Sequence, residues 1–261
     1  MSPGADKPLA VVLLSGGMDS AVAATMTART HRLACLHAAY GQRTANRERV
    51  SFGALAHHLK AEEKRVVDLS HLGALGGSSL TDPGRPVADA GTDPQAVPGT
   101  YVPFRNAHLL AVAVSWAEVL GASQVVIGAV EEDSSGYPDC TEAFYSAFQE
   151  AVHQGTRPGT DITLVMPVIG MSKAEIVRQG QALGTPMHLT WSCYREEAIA
   201  CGRCDSCALR LGGFAAAGLD DPLRYAPDAR VPRSPGRDRR SPGRDRQVAA
   251  LTAFLDRVRR S

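Results

Sequence analysis

The sequence lacks any long hydrophobic run. No stretch approaches the roughly 18 consecutive uncharged apolar residues that a membrane-spanning helix needs. Residues 1–8 also lack the apolar core of a secretory signal peptide. With 44% hydrophobic residues among 261, the chain still has ample material for a large buried core. We therefore expect a cytoplasmic protein that has no membrane partner.

Outside its C-terminal end, the chain also lacks a surplus of basic residues. Residues 230–246 hold seven arginines and two aspartates, out of 28 basic and 27 acidic residues in the whole chain. The remainder therefore has 21 basic and 25 acidic residues. Because a nucleic-acid-binding domain usually carries a basic face, direct binding of nucleic acid is not expected of this remainder.

Two common phosphate-binding motifs are missing. Neither GxxxxGK[ST] nor GxGxxG occurs, and instead residues 15–20 read SGGMDS directly after the apolar run LAVVLL. Glycines let a backbone approach an anion closely, and the first N–H groups of a helix are free donors at its positive end. Ser15 and Ser20 add hydroxyl donors, and Asp19 is suited to cap the helix or to help place Mg²⁺ on phosphates. We interpret this turn as a binding site for the phosphates of ATP.

Short apolar runs alternate with longer stretches of helical character. The predicted strands cover residues 9–14, 33–38, 64–68, 124–128 and 163–167, and the predicted helices cover residues 19–30, 44–59, 106–120, 141–153 and 172–183. This alternation predicts an α/β fold with a doubly wound parallel sheet. Ligands of such folds bind beyond the carboxyl ends of the strands. Residues 15–20, 40–42 and 131–139 are therefore expected to meet in one crevice.

Four of the six cysteines lie within residues 193–207. Cys193 is followed by Cys201, Cys204 and Cys207, which form two overlapping CxxC steps. Four thiolates suit a tetrahedral zinc ion and leave no open coordination position, so such a site would be structural. An iron–sulfur cluster also uses CxxCxxC spacing, but nothing else in the sequence indicates redox chemistry. We expect Zn²⁺ on these four cysteines.

Two segments have no periodic pattern. Residues 72–100 are rich in Gly, Ser, Pro and Asp, and a mobile lid and a plain surface loop both stay open for them. Residues 233–239 and 240–246 both read RSPGRDR, a composition that cannot bury a core. We expect four units: an ATP-binding α/β domain over residues 1–187, a zinc-binding helical subdomain over 188–226, a disordered Arg-rich linker over 227–246 and a C-terminal helix over 247–261.

The phosphate turn closely resembles the PP-loop of the ATP pyrophosphatase superfamily, and further motifs resemble its 7-cyano-7-deazaguanine synthase family. The matching stretches are YGQR at residues 40–43, VPFRN at 102–106, GAVEEDSSGYPDCTEAF at 128–144, SKAEIV at 172–177, and TWSCY with ACGRCDSCALRLGGF within 190–214. All of them lie within residues 1–225 and follow the family's order. The Arg-rich repeat and the last predicted helix lie outside the resemblance.

The resemblance implies an adenine nucleotide alpha hydrolase-like sheet, a homodimer, and an ATP-dependent carbon–nitrogen ligase of queuosine biosynthesis. The implied reaction converts 7-carboxy-7-deazaguanine, ammonia and two ATP into 7-cyano-7-deazaguanine (preQ0), AMP and pyrophosphate. Adenylation of the carboxylate and capture by ammonia give an amide. Adenylation of the amide oxygen, followed by loss of AMP, gives the nitrile. ATP, Mg²⁺ and Zn²⁺ are the implied cofactors.

Candidate residues for ATP lie in the phosphate turn and at the end of the second strand. They are Leu13, Ser15, Gly16, Gly17, Met18, Asp19, Ser20, Tyr40 and Gln42. Lys173 matches the family position that neutralises phosphate charge, although a solvated lysine at a helix start is the alternative. Arg105 is able to pair with phosphate or with the substrate carboxylate. Together with Ser15, Asp19 and Ser20, these two basic residues form the predicted catalytic set.

The resemblance places six residues at the substrate: Arg105, Asn106, Asp133, Tyr137, Asp139 and Phe144. A planar deazaguanine is best held by aromatic stacking and by a carboxylate that accepts its N–H groups. Asp139 and Asp133 are the candidate acceptors, and Tyr137 or Phe144 is the candidate stacking partner. Core packing of the two aromatic rings and capping of the helix by the Arg-Asn pair are the alternatives.

The motifs do not separate ammonia from a larger amine. The same adenylated carboxylate could be captured by an amine of a protein or of a small molecule, and the reaction would then stop at an amide. A tRNA-modifying enzyme with a PP-loop is disfavoured by the acidic balance of the chain. A zinc-stabilised module that binds nucleic acid through the arginine-rich end is a further alternative, against which the intact SGGMDS and Lys173 argue.

Overall fold

The apolar runs of the sequence form one parallel sheet. The computed structural model describes residues 7–91, 97–130 and 136–230. Its strands are β1 (Leu9–Leu13), β2 (Arg32–Ala39), β3 (Glu63–Asp68), β4 (Gln124–Ile127) and β5 (Thr163–Val165). They lie in the order β3-β2-β1-β4-β5, and every neighbouring pair is parallel. The predicted parallel sheet is confirmed.

Helices cover both faces of the sheet. They are α1 (Met18–Thr27), α2 (Ala45–His58), α3 (His71–Leu75), α4 (Arg105–Leu120), α5 (Glu142–Gly155), α6 (Lys173–Leu183) and α7 (Asp205–Ala217), with 3-10 turns at Pro138–Cys140 and Met187–Leu189. Leu110 of α4 and Tyr145 of α5 pack on one face, and Ala21 of α1 and Leu55 of α2 pack on the other. Because β1 is buried on both faces, its successive residues are all apolar. Among the described residues, no helix has both the length and the apolar character to cross a membrane.

The order of the strands reverses at β1. Leu13 at the end of β1 lies opposite Leu36 of β2 on one side and Ile127 of β4 on the other. In an open α/β sheet, such a switch point leaves a crevice beyond the carboxyl ends of the strands, where ligands bind. The SGGMDS turn follows β1 and Gly128 follows β4, so both lie at this crevice.

The C-terminal part of the described chain packs beside the crevice. The four clustered cysteines, Trp191 and Tyr225 share one apolar cluster with Tyr40 and Leu72. Helix α7 lies close to α6, because a Cβ at Gly213 would be only 2.7 Å from the Cβ of Lys173. The boundaries near residues 187 and 226 stay predictions. Residues 231–246 of the expected linker and the expected helix 247–261 lie outside the described residues.

The aperiodic segment 72–100 is packed where it is described. The Arg43 guanidinium donates to the carbonyls of Ser79 at 2.8 Å, Asp82 at 2.6 Å and Arg85 at 2.7 Å. Leu72, Leu80 and Val87 are buried against the cysteine cluster. The arginine of YGQR thus fastens this segment to the body of the protein. The described residues of the segment do not stand free as a flap.

Arg210 fastens α7 to the segment that follows it. Its side chain is 1% exposed, and its Nε and Nη2 donate to the two carboxylate oxygens of Asp221 at 2.8 and 3.0 Å. The Tyr225 hydroxyl donates to the same carboxylate at 2.6 Å, and Arg210 Nη1 donates to Thr190 Oγ1 at 2.6 Å. The buried ion pair is therefore surrounded by further hydrogen bonds.

We expect Arg210→Met to lower the free energy of unfolding by about 3 kcal/mol or more, because it leaves the Asp221 carboxylate buried without its counter-charge. As the matched control, Arg157→Met removes an arginine that is 70% exposed beside Glu118 and should cost under about 1 kcal/mol. Urea unfolding followed by circular dichroism measures both values. Similar losses for the two variants would contradict the structural role of Arg210.

Candidate functional site

The turn after β1 is closed by its own hydroxyl groups. Ser15 Oγ and Ser20 Oγ lie 3.0 Å apart, and Ser20 Oγ donates to the Gly17 carbonyl at 3.1 Å. The Gly17 N–H donates to Ser15 Oγ at 3.2 Å. Because α1 begins at Met18, the N–H groups of its first turn have no carbonyl partner within the helix. The turn therefore offers hydroxyl and N–H donors to an anion in the crevice.

Glycine at two positions allows the turn to sit between its neighbours. Gly16 has a φ of +94°, and a Cβ there would lie 2.7 Å from the Glu48 carbonyl oxygen of α2. Its own carbonyl accepts a hydrogen bond from the Trp191 N–H at 2.8 Å. On the opposite side, a Cβ at Gly128 would lie 2.6 Å from the nitrogen and the Cα of Ser20. The turn is thus held by α2, by the end of β4 and by the segment before Cys193.

Lys173 reaches the phosphate turn from α6. Its Nζ donates to Asp19 Oδ2 at 2.7 Å, and its side chain is 13% exposed. Ser172 caps α6 in a reciprocal arrangement with Glu175, which fixes the start of the helix next to Lys173. The ammonium group is consequently placed at the entrance of the turn, where it is able to neutralise phosphate charge.

The turn opens into a cavity of about 240 Å³ beyond the strand ends. The predicted residues that line it are Leu13, Ser15, Gly17, Met18, Asp19, Ser20, Tyr40, Arg105, Asn106 and Tyr137. A cavity of about 640 Å³ adjoins it, since Met18, Asp19 and Tyr137 line both, and Lys173 lines this second cavity. The structure therefore brings together the phosphate turn, the end of β2, the VPFRN motif and Tyr137.

Arg105 places a buried cation in the first cavity. Its Nη1 donates to the Tyr40 hydroxyl at 3.2 Å, and its guanidinium carbon lies 5.4 Å from the centre of the Tyr40 ring. Its Nε is buried without a hydrogen-bond partner. In the part of the chain that the structure describes, no carboxylate lies within ion-pair distance of Arg105. A buried guanidinium in this state is suited to bind an anion.

Tyrosines surround this guanidinium. Burial lowers the pKa of Arg105, but the neighbouring Tyr40, Tyr194 and Tyr137 outweigh that effect and raise the pKa overall. Burial raises the pKa of Tyr40 to about 12, although the positive charge of Arg105 opposes the shift. At neutral pH the arginine is therefore charged and the Tyr40 hydroxyl is neutral.

Gln42 and Phe144 are predicted ligand residues whose side chains do not line the cavity. The Gln42 side chain is turned inward, where its Oε1 accepts from the Tyr40 N–H at 2.8 Å and its Nε2 donates to Glu48 Oε2 at 3.0 Å. Phe144 packs edge-on against Phe104 and Tyr145 as part of the core. Gln42 thus supports the end of β2 in this structure. Of the two candidate stacking partners, Tyr137 lines the cavity and Phe144 does not.

Asp139 and Asn106 hold each other at the start of α4. Asp139 Oδ2 accepts from the Asn106 N–H at 2.9 Å, and Asn106 Nδ2 donates to the Asp139 carbonyl at 2.8 Å and to Cys140 Sγ at 3.1 Å. Asp139 does not line the cavity. Its hydrogen bonds with Asn106 instead hold the start of α4, the helix that carries Arg105. Asp133 lies outside the described residues.

The residues that line the cavity but were not predicted from the sequence include Glu48, Trp191 and Tyr194. Trp191 and Tyr194 stand on either side of Cys193 in the TWSCY stretch. The sequence indicates a metal site for this stretch, and it gives no sign that the two aromatic residues also lie at the phosphate turn. Trp191 is 4% exposed and donates from Nε1 to the Glu196 carbonyl at 3.0 Å. Burial raises the pKa of Tyr194 well above its usual value. No sequence pattern indicates a functional role for Glu48, apart from its closeness to the YGQR motif.

The four clustered cysteines form a candidate metal centre. Their sulfur atoms all lie within 4.8 Å of one another, and all four residues are buried. A tetrahedral zinc ion with bonds of about 2.3 Å needs sulfurs at comparable spacing. Cys193 Sγ accepts from the N–H groups of Glu196 at 3.3 Å and Cys201 at 3.4 Å. Hydrogen bonds from the Cys204 and Cys207 thiols, assisted by backbone N–H groups, lower the pKa of Cys193. This donor set fits a metal ion that binds thiolates.

Comparison with known proteins identifies close relatives. The family model described as "Queuosine biosynthesis protein QueC" matches residues 9–218. A relative from Chlorobaculum tepidum is 54% identical over 220 residues, covering 83% of this chain and 96% of its own length. A relative from Koribacter versatilis is 54% identical over 226 residues, covering 85% of this chain and 95% of its own length. Both are named 7-cyano-7-deazaguanine synthase. A solved structure of NMN synthetase from Francisella tularensis is 18% identical with a TM-score of 0.39, covering 72% of this chain and 65% of that one, which is too distant to add to the assignment.

We expect the purified protein to contain one zinc ion per chain, measured by elemental mass spectrometry. Cys204→Ser should lose that metal and unfold at a lower temperature, because three thiolates leave the tetrahedral site incomplete. The matched control is Cys35→Ser, which alters a buried cysteine of β2 outside the cluster and should keep the metal. Full metal retention in Cys204→Ser would contradict this site.

We also expect Gly128→Ala to weaken binding of ATP at least about tenfold, since the added methyl group displaces the backbone of Ser20 in the phosphate turn. Gly155→Ala is the matched control, because a Cβ there meets no atom within 4 Å. Isothermal titration calorimetry with a non-hydrolysable ATP analogue measures both. Equal affinities in the two variants would show that Gly128 does not set the position of the turn.

Proposed function

Because the chain belongs to the queuosine biosynthesis protein QueC family, we propose that it converts 7-carboxy-7-deazaguanine, ammonia and ATP into 7-cyano-7-deazaguanine (preQ0). Relatives that bear the synthase name share more than half of their residues with this chain over nearly their whole length. The observation that carries the proposal is that one crevice holds an anion-binding turn with Lys173 and, apart from it, the buried cation of Arg105. These are the requirements of a reaction that transfers the adenylyl group of ATP to a carboxylate and releases pyrophosphate.

The phosphate turn and Lys173 bind the leaving pyrophosphate. The Ser15 and Ser20 hydroxyls and the first N–H groups of α1 donate to the β- and γ-phosphates, and the ammonium of Lys173 offsets their charge as pyrophosphate departs. Asp19 Oδ1 is buried without a partner while Oδ2 holds Lys173, so one carboxylate oxygen fits a magnesium ion. When bound, Mg²⁺ supplies further positive charge at the phosphates.

Arg105 binds the carboxylate of the substrate. Its guanidinium fork suits two carboxylate oxygens, and the Tyr40 hydroxyl fixes one side of the fork. A carboxylate oxygen then attacks the α-phosphorus, the bond to pyrophosphate breaks, and an acyl adenylate forms. The walls of Tyr137, Tyr194 and Trp191 supply the aromatic surface that a planar deazaguanine requires.

Two rounds of the same activation give the nitrile. Ammonia attacks the acyl adenylate, AMP departs with the carboxylate oxygen, and an amide remains. A second ATP adenylates the amide oxygen with release of pyrophosphate, and loss of AMP with the two nitrogen-bound protons leaves the C≡N group. One phosphate turn serves both rounds, because each begins with attack of a substrate oxygen on the α-phosphorus of an ATP molecule.

Mass spectrometry of the products tests this function. Protein incubated with ATP, Mg²⁺, ammonium and 7-carboxy-7-deazaguanine should yield 7-cyano-7-deazaguanine, AMP and pyrophosphate. Arg105→Lys should lower kcat/KM for the carboxylate about 100-fold, since a single ammonium cannot replace the fork. The matched control, Arg32→Lys at the surface pair with Glu62, should leave the rate unchanged.

Three outcomes would contradict parts of the proposal. Absence of any AMP that depends on the carboxylate would overturn the function. An amide that proceeds no further would indicate an enzyme that joins the carboxylate to another amine. Equal rates for Arg105→Lys and Arg32→Lys would remove Arg105 from the substrate site.

A further inference from the structure

Glu48 is a cavity residue to which the reaction described above gives no role. It lies in the first turn of α2, beside Gly16 of the phosphate turn, and lines the same cavity as Ser15, Tyr40 and Arg105. Among the described residues, the carboxylates that line this cavity are Asp19 and Glu48. Asp19 is already paired with Lys173. Glu48 is therefore the cavity carboxylate whose charge is not taken up by a lysine or an arginine in contact.

Neutral groups hold the Glu48 carboxylate in place. Thr44 Oγ1 donates to Oε1 at 2.7 Å, and Gln42 Nε2 donates to Oε2 at 3.0 Å. Each oxygen keeps a further lone pair, because an ionised carboxylate has about four acceptor sites. The Gln42 side chain points away from the cavity and thereby fixes the orientation of the Glu48 carboxylate, which faces the cavity.

The surroundings of Glu48 favour a carboxylate that accepts a proton. Burial raises its pKa, and the hydrogen bonds from Gln42 and Thr44 and the charge of Arg105 on α4 oppose that shift. The negative charge of Glu197, which binds the N–H groups at the start of α2, raises the pKa further. The net shift is upward, which makes the carboxylate a stronger base than an exposed glutamate.

The nitrogen source of the proposed reaction requires such a group. At neutral pH, dissolved ammonia is mostly the ammonium cation, which has no lone pair and cannot attack a carbonyl carbon. An enzyme that uses it must hold this small cation next to the acyl adenylate and remove one proton. A carboxylate that is bound by neutral donors and faces the cavity is able to do both.

The geometry points to Glu48 as the residue that binds ammonium in the cavity and takes its proton, an inference that rests on the proposed function. The ionised carboxylate accepts one proton from ammonium and becomes neutral, which frees the nitrogen lone pair. The nitrogen then attacks the carbonyl carbon of the acyl adenylate. The bond from that carbon to the adenylate oxygen breaks, and the departing AMP carries that oxygen and one proton from the attached nitrogen. The amide remains, and Glu48 returns its proton to solvent.

The test compares two nitrogen nucleophiles in Glu48→Gln. With ammonium at pH 7, this variant should form the amide and the nitrile about 100-fold more slowly than the natural protein, the scale of a lost general base. Hydroxylamine is already neutral at this pH, so the variant should form the hydroxamate within about threefold of the natural rate. ATP–pyrophosphate exchange that depends on 7-carboxy-7-deazaguanine should also change by less than about threefold, because adenylation precedes the entry of ammonia.

Glu142→Gln is the matched control. Glu142 also lies in the first turn of a helix, α5, but does not line the cavity, so this variant should treat both nucleophiles alike. Equal rates with ammonium in the natural protein and Glu48→Gln would overturn the inference and leave the proposed function standing. A loss that is the same with both nucleophiles, or that extends to pyrophosphate exchange, would give Glu48 a role in adenylation or in structure instead. Absence of exchange in the natural protein would overturn the proposed function and this inference with it.

Discussion

The site depends on a steric constraint: the phosphate turn has backbone on three sides and no space for side chains at the points of contact. Gly16 lies against the Glu48 carbonyl of α2, Gly128 lies against the backbone of Ser20, and Trp191 holds the Gly16 carbonyl from the C-terminal side. Because three separate elements meet at one turn, its shape is fixed before any ligand arrives. Preorganised donors of this kind stabilise developing charge without having to rearrange.

The charged groups around the crevice divide it into two regions. Lys173 and Asp19 stand at the phosphate turn, on the side of α1 and α6. Arg105 stands at the start of α4, which packs on the opposite face of the sheet. Burial of these cations strengthens their interactions, since a charge removed from water is screened less. The tyrosines around Arg105 hold this cation without neutralising it, and the site therefore stays ready for a negatively charged ligand.

Much of this arrangement could be predicted from the sequence. The run of apolar residues in β1, the glycines after it and the spacing of the cysteines depend on local rules, and the sheet, the turn and the closeness of the four thiols agree with them. The direction of single side chains could not be predicted in the same way. Gln42 turns inward to hydrogen-bond with Tyr40 and Glu48, which are near it in sequence. Phe144 packs against the core and against Phe104, which is distant in sequence. Glutamate is common on the surfaces of helices, and Glu48 reaches the cavity only because α2 approaches Gly16.

The short path from Cys193 to the phosphate turn has a thermodynamic consequence. Trp191, two residues before this metal ligand, donates its N–H to Gly16, so order in the cysteine cluster and order in the turn are not independent. When two binding sites share ordered structure, each ligand strengthens the other by the same factor. Bound nucleotide would then tighten the binding of metal, and a protein depleted of metal would bind nucleotide less tightly. The fraction of molecules that bind nucleotide tightly would in this way depend on how much metal is available to the four cysteines.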